Sequence, residues 1–291
     1  MNLCEFGLLV KTLRNNCNDD YGNKWTRESL SKVIHLTSNQ LGRLERGDRK
    51  YLDNQTLQLL ADAFKLTNME KKEFFAAAVG IDDREMYRTE DPINQLYKLM
   101  TMLESLQFPA YITDVYADIV ASNITAQKIY KIPTEIIDQV ADIPAGLNMI
   151  NFIYSPHLGF REIVGSNWRE AADMAILMFR RTTLRYRHME YFQYLLRELL
   201  KDKQFDIDWY SSHRFEEHLD LTYELFDFNH PDYGHVRFYS TETIISTTEG
   251  DLYLIIYNPA DATTVKVFGE MQREYGNRIL RMASWPEKII I

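Results

Sequence analysis

The sequence predicts two domains: an all-α, five-helix helix-turn-helix domain followed by an α+β domain. Three observations predict it. Residues 5–80 carry short stretches with apolar residues at helical spacing, each opened by a good N-cap residue. Beyond residue 106 the apolar pattern contracts to strand-like runs such as DIVAS, HVRFY and LYLIIY. Between the two regimes lies IDDREMYRTEDP, residues 81–92, which is charged and closed by Pro92. A length of 291 residues suits two domains. The division expected is 1–80 for the first domain, 81–92 for a linker, 93–262 for the second domain, and 263–291 for a C-terminal helix and tail.

The first helix places Phe6, Leu9, Val10 and Leu13 on one stripe, with Lys11 and Arg14 outside it. Asn15 to Asn23 is polar and turn-rich, hence a loop. Thr26 caps a second helix that buries Leu30, Val33 and Ile34, and Ile34-His35-Leu36-Thr37 forms a tight turn. Thr37 with Gln40 has the form of a capping box, opening a third helix that buries Leu41 and Leu44 and stops at Gly47. Asp53 or Asn54 caps a fourth helix, with Leu57, Leu60, Ala61 and Phe64 inward. Thr67-x-x-Glu70 caps a fifth that ends near Gly80.

After the linker, Ile93 to Leu106 reads as an amphipathic helix with Leu96, Tyr97, Met100 and Leu103 on one face, packing on its own domain. Pro109 to Val115 and Asp118 to Ser122 read as strands joined by a Tyr-Ala turn, and Thr125 to Tyr130 as a short helix. Glu170 to Tyr186 and Met189 to Leu200 are helical by period. His235 to Tyr239 and Leu252 to Tyr257 are strands, with a separate strand expected at Thr243 to Thr248 and a last helix at Thr264 to Glu274.

Charge is distributed unevenly. The net formal charge is −9, yet residues 1–88 hold 14 Lys and Arg against 13 Asp and Glu, and the remainder holds 19 against 29. Within residues 24–50 the balance is 7 basic to 3 acidic. A basic face on an acidic chain still attracts a polyanion locally.

That basic segment has the residue types a DNA-reading helix needs. Ser38, Asn39 and Gln40 fall on the first turn of the third helix after its cap Thr37. Short polar side chains there reach base edges in the major groove, and Asn and Gln suit adenine. Arg43 lies one turn later and can reach a guanine or a phosphate, and Arg27 starts the preceding helix where that helix abuts a phosphate. Arg46, Arg49 and Lys50 follow and reach flanking phosphates.

These pieces resemble the phage-repressor-like (XRE) helix-turn-helix family. The resemblance rests on Phe6-Gly7, Leu13-Arg14, Thr26 with Leu30, Thr37, Leu44-Glu45-Arg46-Gly47, and Thr56-Leu57 with Leu60-Ala61. It implies sequence-specific binding to double-stranded operators as a homodimer. One departure is His35, which stands where the family's turn usually has glycine; a histidine tolerates positive φ better than most residues.

The second domain resembles the MmyB-like ligand-binding domain, itself similar to a PAS fold. The carrying residues are Pro109-Ala110 with Asp114, Asp118 to Asn123, Leu147 to Phe152, Trp168, Phe205, Trp209 and His213. His230-Pro231 with Gly234, and Tyr257, Pro259 and Asp261, complete the series. The resemblance implies an effector pocket for a small apolar, fatty-acid-like molecule. From the residues alone, Asn123, Trp168, Trp209 and His213 are the ligand-binding candidates. The Trp209/His213 pair fits a ligand head group or a hydrogen-bonded core pair, and Arg180-Arg181 fits a bound carboxylate or a solvated charged face, the second being the expectation.

Of 37 aromatic residues, 29 lie after residue 88, enough to line a cavity or to fill a solid core. No apolar run reaches the length of a membrane span, and Glu5 interrupts the first apolar residues, so neither membrane nor export signal is expected. Cys4 and Cys17 show no CxxC spacing and read as thiols of a cytoplasmic protein.

No catalytic or metal-ligating residue is assigned. No phosphate-cradling glycine loop is present, and His213/His218 and His230/His235 are five apart, off the i,i+4 geometry of helical ligands. The expectation is a non-enzymatic, cofactor-free regulator whose effector controls operator binding. The alternatives are control by a signalling peptide or protein partner, which calls for an all-helical second domain with a repeat near 34 residues, and a haem or metal sensor.

Overall fold

A computed structural model describes residues 1–48, 52–80, 91–140, 145–214 and 224–288. Arg49, Lys50, His218, the tail Ile289 to Ile291 and all of the expected linker except Asp91 and Pro92 lie outside these described residues.

The N-terminal region is helical: α1 (Leu3–Asn16), α2 (Arg27–Val33), α3 (Ser38–Glu45), α4 (Asn54–Ala63) and α5 (Asn68–Ala78). Each helix opens on a side-chain cap. Asn2, Thr26, Thr37 and Thr67 form capping boxes, and Asp53 caps α4. The α2–α3 turn passes through His35 at φ 54°, the left-handed conformation its place in the turn requires. Phe6, Leu9, Leu30, Leu41, Leu60 and Phe74 pack into one core.

Two glycines permit the closest approach in this core. An added Cβ on Gly7 meets the Leu44 carbonyl oxygen at 2.5 Å and the Gly47 nitrogen at 2.9 Å. Gly47, at φ +77°, ends the third helix against the backbone of Cys4. Both contacts are backbone and cannot swing away. Gly7→Ala is therefore expected to destabilise the protein by about 1–3 kcal/mol, as overpacked cores do, and to lower Tm measurably in a thermal melt.

The C-terminal domain is α+β. Its six-stranded antiparallel sheet has the order β3-β4-β5-β1-β2-β6, from β1 (Ala110–Asp114), β2 (Ile119–Asn123), β3 (Glu224–His230), β4 (Gly234–Ile245), β5 (Leu252–Pro259) and β6 (Ile279–Arg281). Register pairs Tyr111 with Ile255 and Thr113 with Tyr253 at its centre. Side chains alternate between faces. Ala110, Ile112, Leu252 and Leu254 meet Leu96, Leu99 and Leu103 of α6 (Pro92–Ser105) on one face. The other face is roofed by short helices: α7 (Ile124–Ile129), α8 (Thr134–Val140), α9 (Met149–Tyr154), α10 (Phe160–Val164), α11 (Trp168–Thr183), α12 (Glu190–Leu199) and α13 (Lys203–Ser211). The last helix, α14 (Ala262–Tyr275), adds Val267, Phe268 and Met271 to the same aromatic core. With both faces covered, LYLIIY is apolar throughout rather than alternating.

Several sequence expectations are corrected. Thr243 to Thr248 is not a separate strand, because β4 runs unbroken to Ile245 and pairs with β5 over Phe238 to Ile245. Its exposed middle, Thr241 to Thr243, carries no apolar alternation to read. Tyr97 and Val33 face outward, and Leu99 takes the inner position on α6. Arg14 and Arg180 are buried rather than solvated, each against a carboxylate.

Candidate functional site

On the N-terminal region, the capped start of α3 is exposed. Ser38, Asn39 and Arg43 project from it with no side-chain partner among the described residues. Gln40 is partly committed: its Oε1 accepts from the Thr37 backbone nitrogen at 2.8 Å, leaving only its amide nitrogen to meet a base. Asn39 is therefore better placed than Gln40 for a two-point contact with adenine. Thr37 spends its hydroxyl on the Gln40 nitrogen. Arg46 pairs with Asp48 at 3.0 Å and stays exposed. Arg27 donates to Glu45 Oε2 at 2.6 Å, while Arg14 donates to Glu45 Oε1 at 2.5 Å. The buried Glu45 thus ties α1, α2 and α3 into one rigid block, and the Arg27 side chain is still 44% exposed.

The second feature is a cavity of about 200 Å³ between the sheet and its helical roof. Alternate residues of the strands form the floor: Tyr111 and Thr113 on β1, Ser240 and Glu242 on β4, and Tyr253, Ile255 and Tyr257 on β5. The roof comes from α9 and one stripe of α11, with Ala171, Met174, Ala175 and Met178 at helical spacing. The two alanines leave room, and the methionines supply a wall that changes shape at low cost. Tyr130 donates to, or accepts from, Tyr257 at 2.9 Å at the inner end. The volume corresponds to roughly seven waters at ~30 Å³ each, so a longer chain enters only if Met174 and Met178 swing aside.

Two carboxylates mark the cavity's ends, and each has a cation. Glu242 pairs with Arg181 at 3.2 Å. Asp114 pairs with Lys288, which also donates to Asp118 at 2.7 Å. Asp118 accepts from the Tyr191 hydroxyl at 2.5 Å and from the Asn148 side-chain amide at 2.8 Å, while Asp114 accepts from the Tyr116 and Asp118 backbone nitrogens. Burial, only partly offset by Lys288 and reinforced by Asp118, pushes Asp114 up to about 6. A carboxyl raised on folding contributes stability below its unfolded pKa and loses it as pH rises through the folded value. Lys288→Met leaves two buried carboxylates facing each other. Its destabilisation in urea is expected to be larger at pH 8, above the Asp114 value of about 6, than at pH 5, below it.

The structure places the four ligand candidates away from this cavity. Asn123 caps α7 and bonds the Ala110 nitrogen at 3.0 Å and the Phe108 carbonyl at 2.7 Å. Trp168 donates to the Ile153 carbonyl at 2.8 Å beneath Arg161. Trp209 and His213 line a different cleft, where the two domains meet. Asn123 and Trp168 are thus fasteners, the first tying the start of α7 to β1 and the second tying α11 to α9. The cavity is lined by residues with no distinctive spacing.

One helix joins the two features. The face of α11 opposite the roofing stripe carries Arg180, whose guanidinium bonds Glu70 of α5 at 2.9 and 3.1 Å and the Trp209 carbonyl at 2.6 Å. In the 3₁₀ turn after α11, Leu184 sits in the N-terminal core and Arg185 bonds Glu73 at 3.0 Å. Arg187 follows and donates to the other oxygen of Glu70. Glu70 has no exposed surface. Burial would raise its carboxyl, but the two arginines overcome that and hold it down at about 2. Its place in a capping-box pattern concealed this second role from the sequence.

Residues 97–270 match the model of the MmyB-like transcription regulator ligand binding domain. The chain belongs to this family. The matched segment contains the cavity floor on β1, β4 and β5, the roof on α9 and α11, and Arg180 and Arg187. The MmyB-like domain therefore includes both the cavity and the cationic half of the joint to α5. No curated protein matches the chain. Among the described residues, no helix is long and apolar enough to cross a membrane.

Proposed function

We propose that this chain is a sequence-specific DNA-binding transcription regulator controlled by a small apolar effector. Residues 1–80 form the DNA-binding domain, 81–92 the linker, 93–262 the ligand-binding domain, and 263–291 a C-terminal helix and tail. The single observation that carries the reading is that α11 roofs the apolar cavity on one stripe and holds Glu70 of the N-terminal helices on another. An occupant that displaces Met174 or Met178 shifts α11, and the shift reaches α5 through Arg180 and Arg187. Two copies of α3 in a homodimer must enter major grooves about 34 Å apart, so a small rotation between domains changes affinity for a duplex operator.

The effector is fatty-acid-like: an apolar chain among Met174, Met178 and Tyr257, with its head at the Thr182, Ser240 and Arg181–Glu242 rim. The protein is cytoplasmic and acts without catalysis or a resident cofactor. Denaturing purified protein and identifying the released small molecules by mass spectrometry tests the cavity. A fatty acid or similar amphiphile in stoichiometric amount is expected, and Met174→Trp is expected to reduce it at least tenfold. Recovery of no apolar molecule, together with no binding of added fatty acid, contradicts the reading.

A further inference from the structure

We infer that the cleft between the two domains is a second ligand site, one that takes a small organic anion with an aromatic or apolar body. The cleft has a volume of about 520 Å³, more than twice that of the sheet cavity, and both domains build it. Its apolar surface comes from Leu13, Phe64, Phe192, Leu196 and Trp209. Arg180 and Arg187 also line it, each with its guanidinium carbon 5.0 Å from the Trp209 ring centroid.

The positive charge there is incompletely answered. Arg180 and Arg187 share the one carboxylate of Glu70. Arg180 uses all three of its nitrogens. Every hydrogen bond of Arg187 runs through Nη2, to Glu70 and to the Arg180 carbonyl, and its buried Nε has no partner among the described residues. Arg187 is only 5% exposed, so water does not easily supply that partner. Lys24 from the N-terminal domain and Arg197 from α12 line the same cleft and have no carboxylate partner among the described residues.

The acidic groups present are engaged elsewhere. Asp20 pairs with Lys65 at 3.2 Å, and Asp19 accepts from the Tyr21 and Asn23 backbone nitrogens. Burial pushes the Cys17 thiol up, so it adds no anion at neutral pH, and burial with Arg180 pulls His213 down, so it stays a neutral imidazole there. A carboxylate entering between Arg187, Lys24 and Arg197 meets charge-assisted donors, while its body stacks on Trp209 and Phe192. Because both domains contribute, such a ligand fastens the docked arrangement.

The test is calorimetric titration of the full chain with 4-phenylbutyrate, with neutral 4-phenylbutanol and inorganic phosphate as comparisons. Saturable one-to-one binding of the acid is expected, at least tenfold tighter than the alcohol or phosphate. Arg187→Met is expected to weaken it at least tenfold. Arg197→Glu, at an exposed position that leaves folding intact, is expected to weaken it several-fold. Arg273→Glu, on the exposed side of α14 and outside both cavities, is expected to leave it unchanged. Equal binding of acid and alcohol overturns the inference, as do indifference to both Arg187→Met and Arg197→Glu, loss of binding in Arg273→Glu, or no saturation by ~10 mM acid.

Discussion

Glu70→Gln is expected to destabilise the protein by about 3–5 kcal/mol. Among the described residues it strips the only carboxylate from two buried guanidiniums, and breaking one side of a buried ion pair leaves charge with no compensation. The substitution keeps the size of the side chain and can still cap the helix through Thr67, so the loss reports charge rather than the helix start. Adding Arg187→Met to Glu70→Gln is expected to recover part of the stability, because one unpaired cation then remains instead of two. The same joint sets a pH dependence. Glu70 is held below its unfolded pKa, so its stabilisation is complete above about 4.5 and is lost as pH falls toward about 2. Chemical denaturation of wild type between pH 6 and pH 3 should show this loss, and Glu70→Gln should not.

The second large effect is on DNA. Arg43→Glu is expected to lower operator affinity about 100-fold or more. Losing a base-edge contact costs ~1–3 kcal/mol, and the introduced carboxylate is also repelled by phosphates. Arg43 has no side-chain partner to lose among the described residues, so the thermal melt should stay unchanged. Asn39→Ala is expected to relax sequence preference at one position, while Arg46→Ala, at a proposed phosphate contact, is expected to weaken all sequences alike and to lower the salt slope by about 1. Arg273→Glu on the exposed side of α14 is the matched control and should bind like wild type.

The features legible in the sequence are those with local rules. Caps at Thr26, Thr37, Asp53 and Thr67 need only a short polar side chain three residues before an amide, so the N-terminal helices could be placed closely. The positive φ at His35 followed from its position in a tight turn. The strands PAYITDV and LYLIIY showed because both faces of the sheet centre are covered. The strand β3 gave no clear sign, and β6 is only three residues long.

The site was less legible because it is made by long-range meetings. Glu70 and Arg180 are 110 residues apart, and Asp118 and Lys288 are 170 apart. Each looks like an ordinary surface charge until the fold supplies its partner. The cavity is harder still. Met174, Ala175 and Met178 differ from core residues only in how little of the space before them is filled, which no spacing encodes. The aromatic and polar residues that stood out, Asn123 and Trp168, did so because they fasten backbone segments together.

The coupling between cavity and DNA is best tested by measuring affinity for one selected duplex on ligand-free and fatty-acid-loaded protein, in wild type and in Glu70→Gln. The proposed transmission through α11 predicts at least a tenfold difference between the two states of wild type, reduced to less than twofold in Glu70→Gln. Equal affinity of loaded and ligand-free wild type contradicts it, and so does a ligand effect that survives intact without the Glu70 carboxylate.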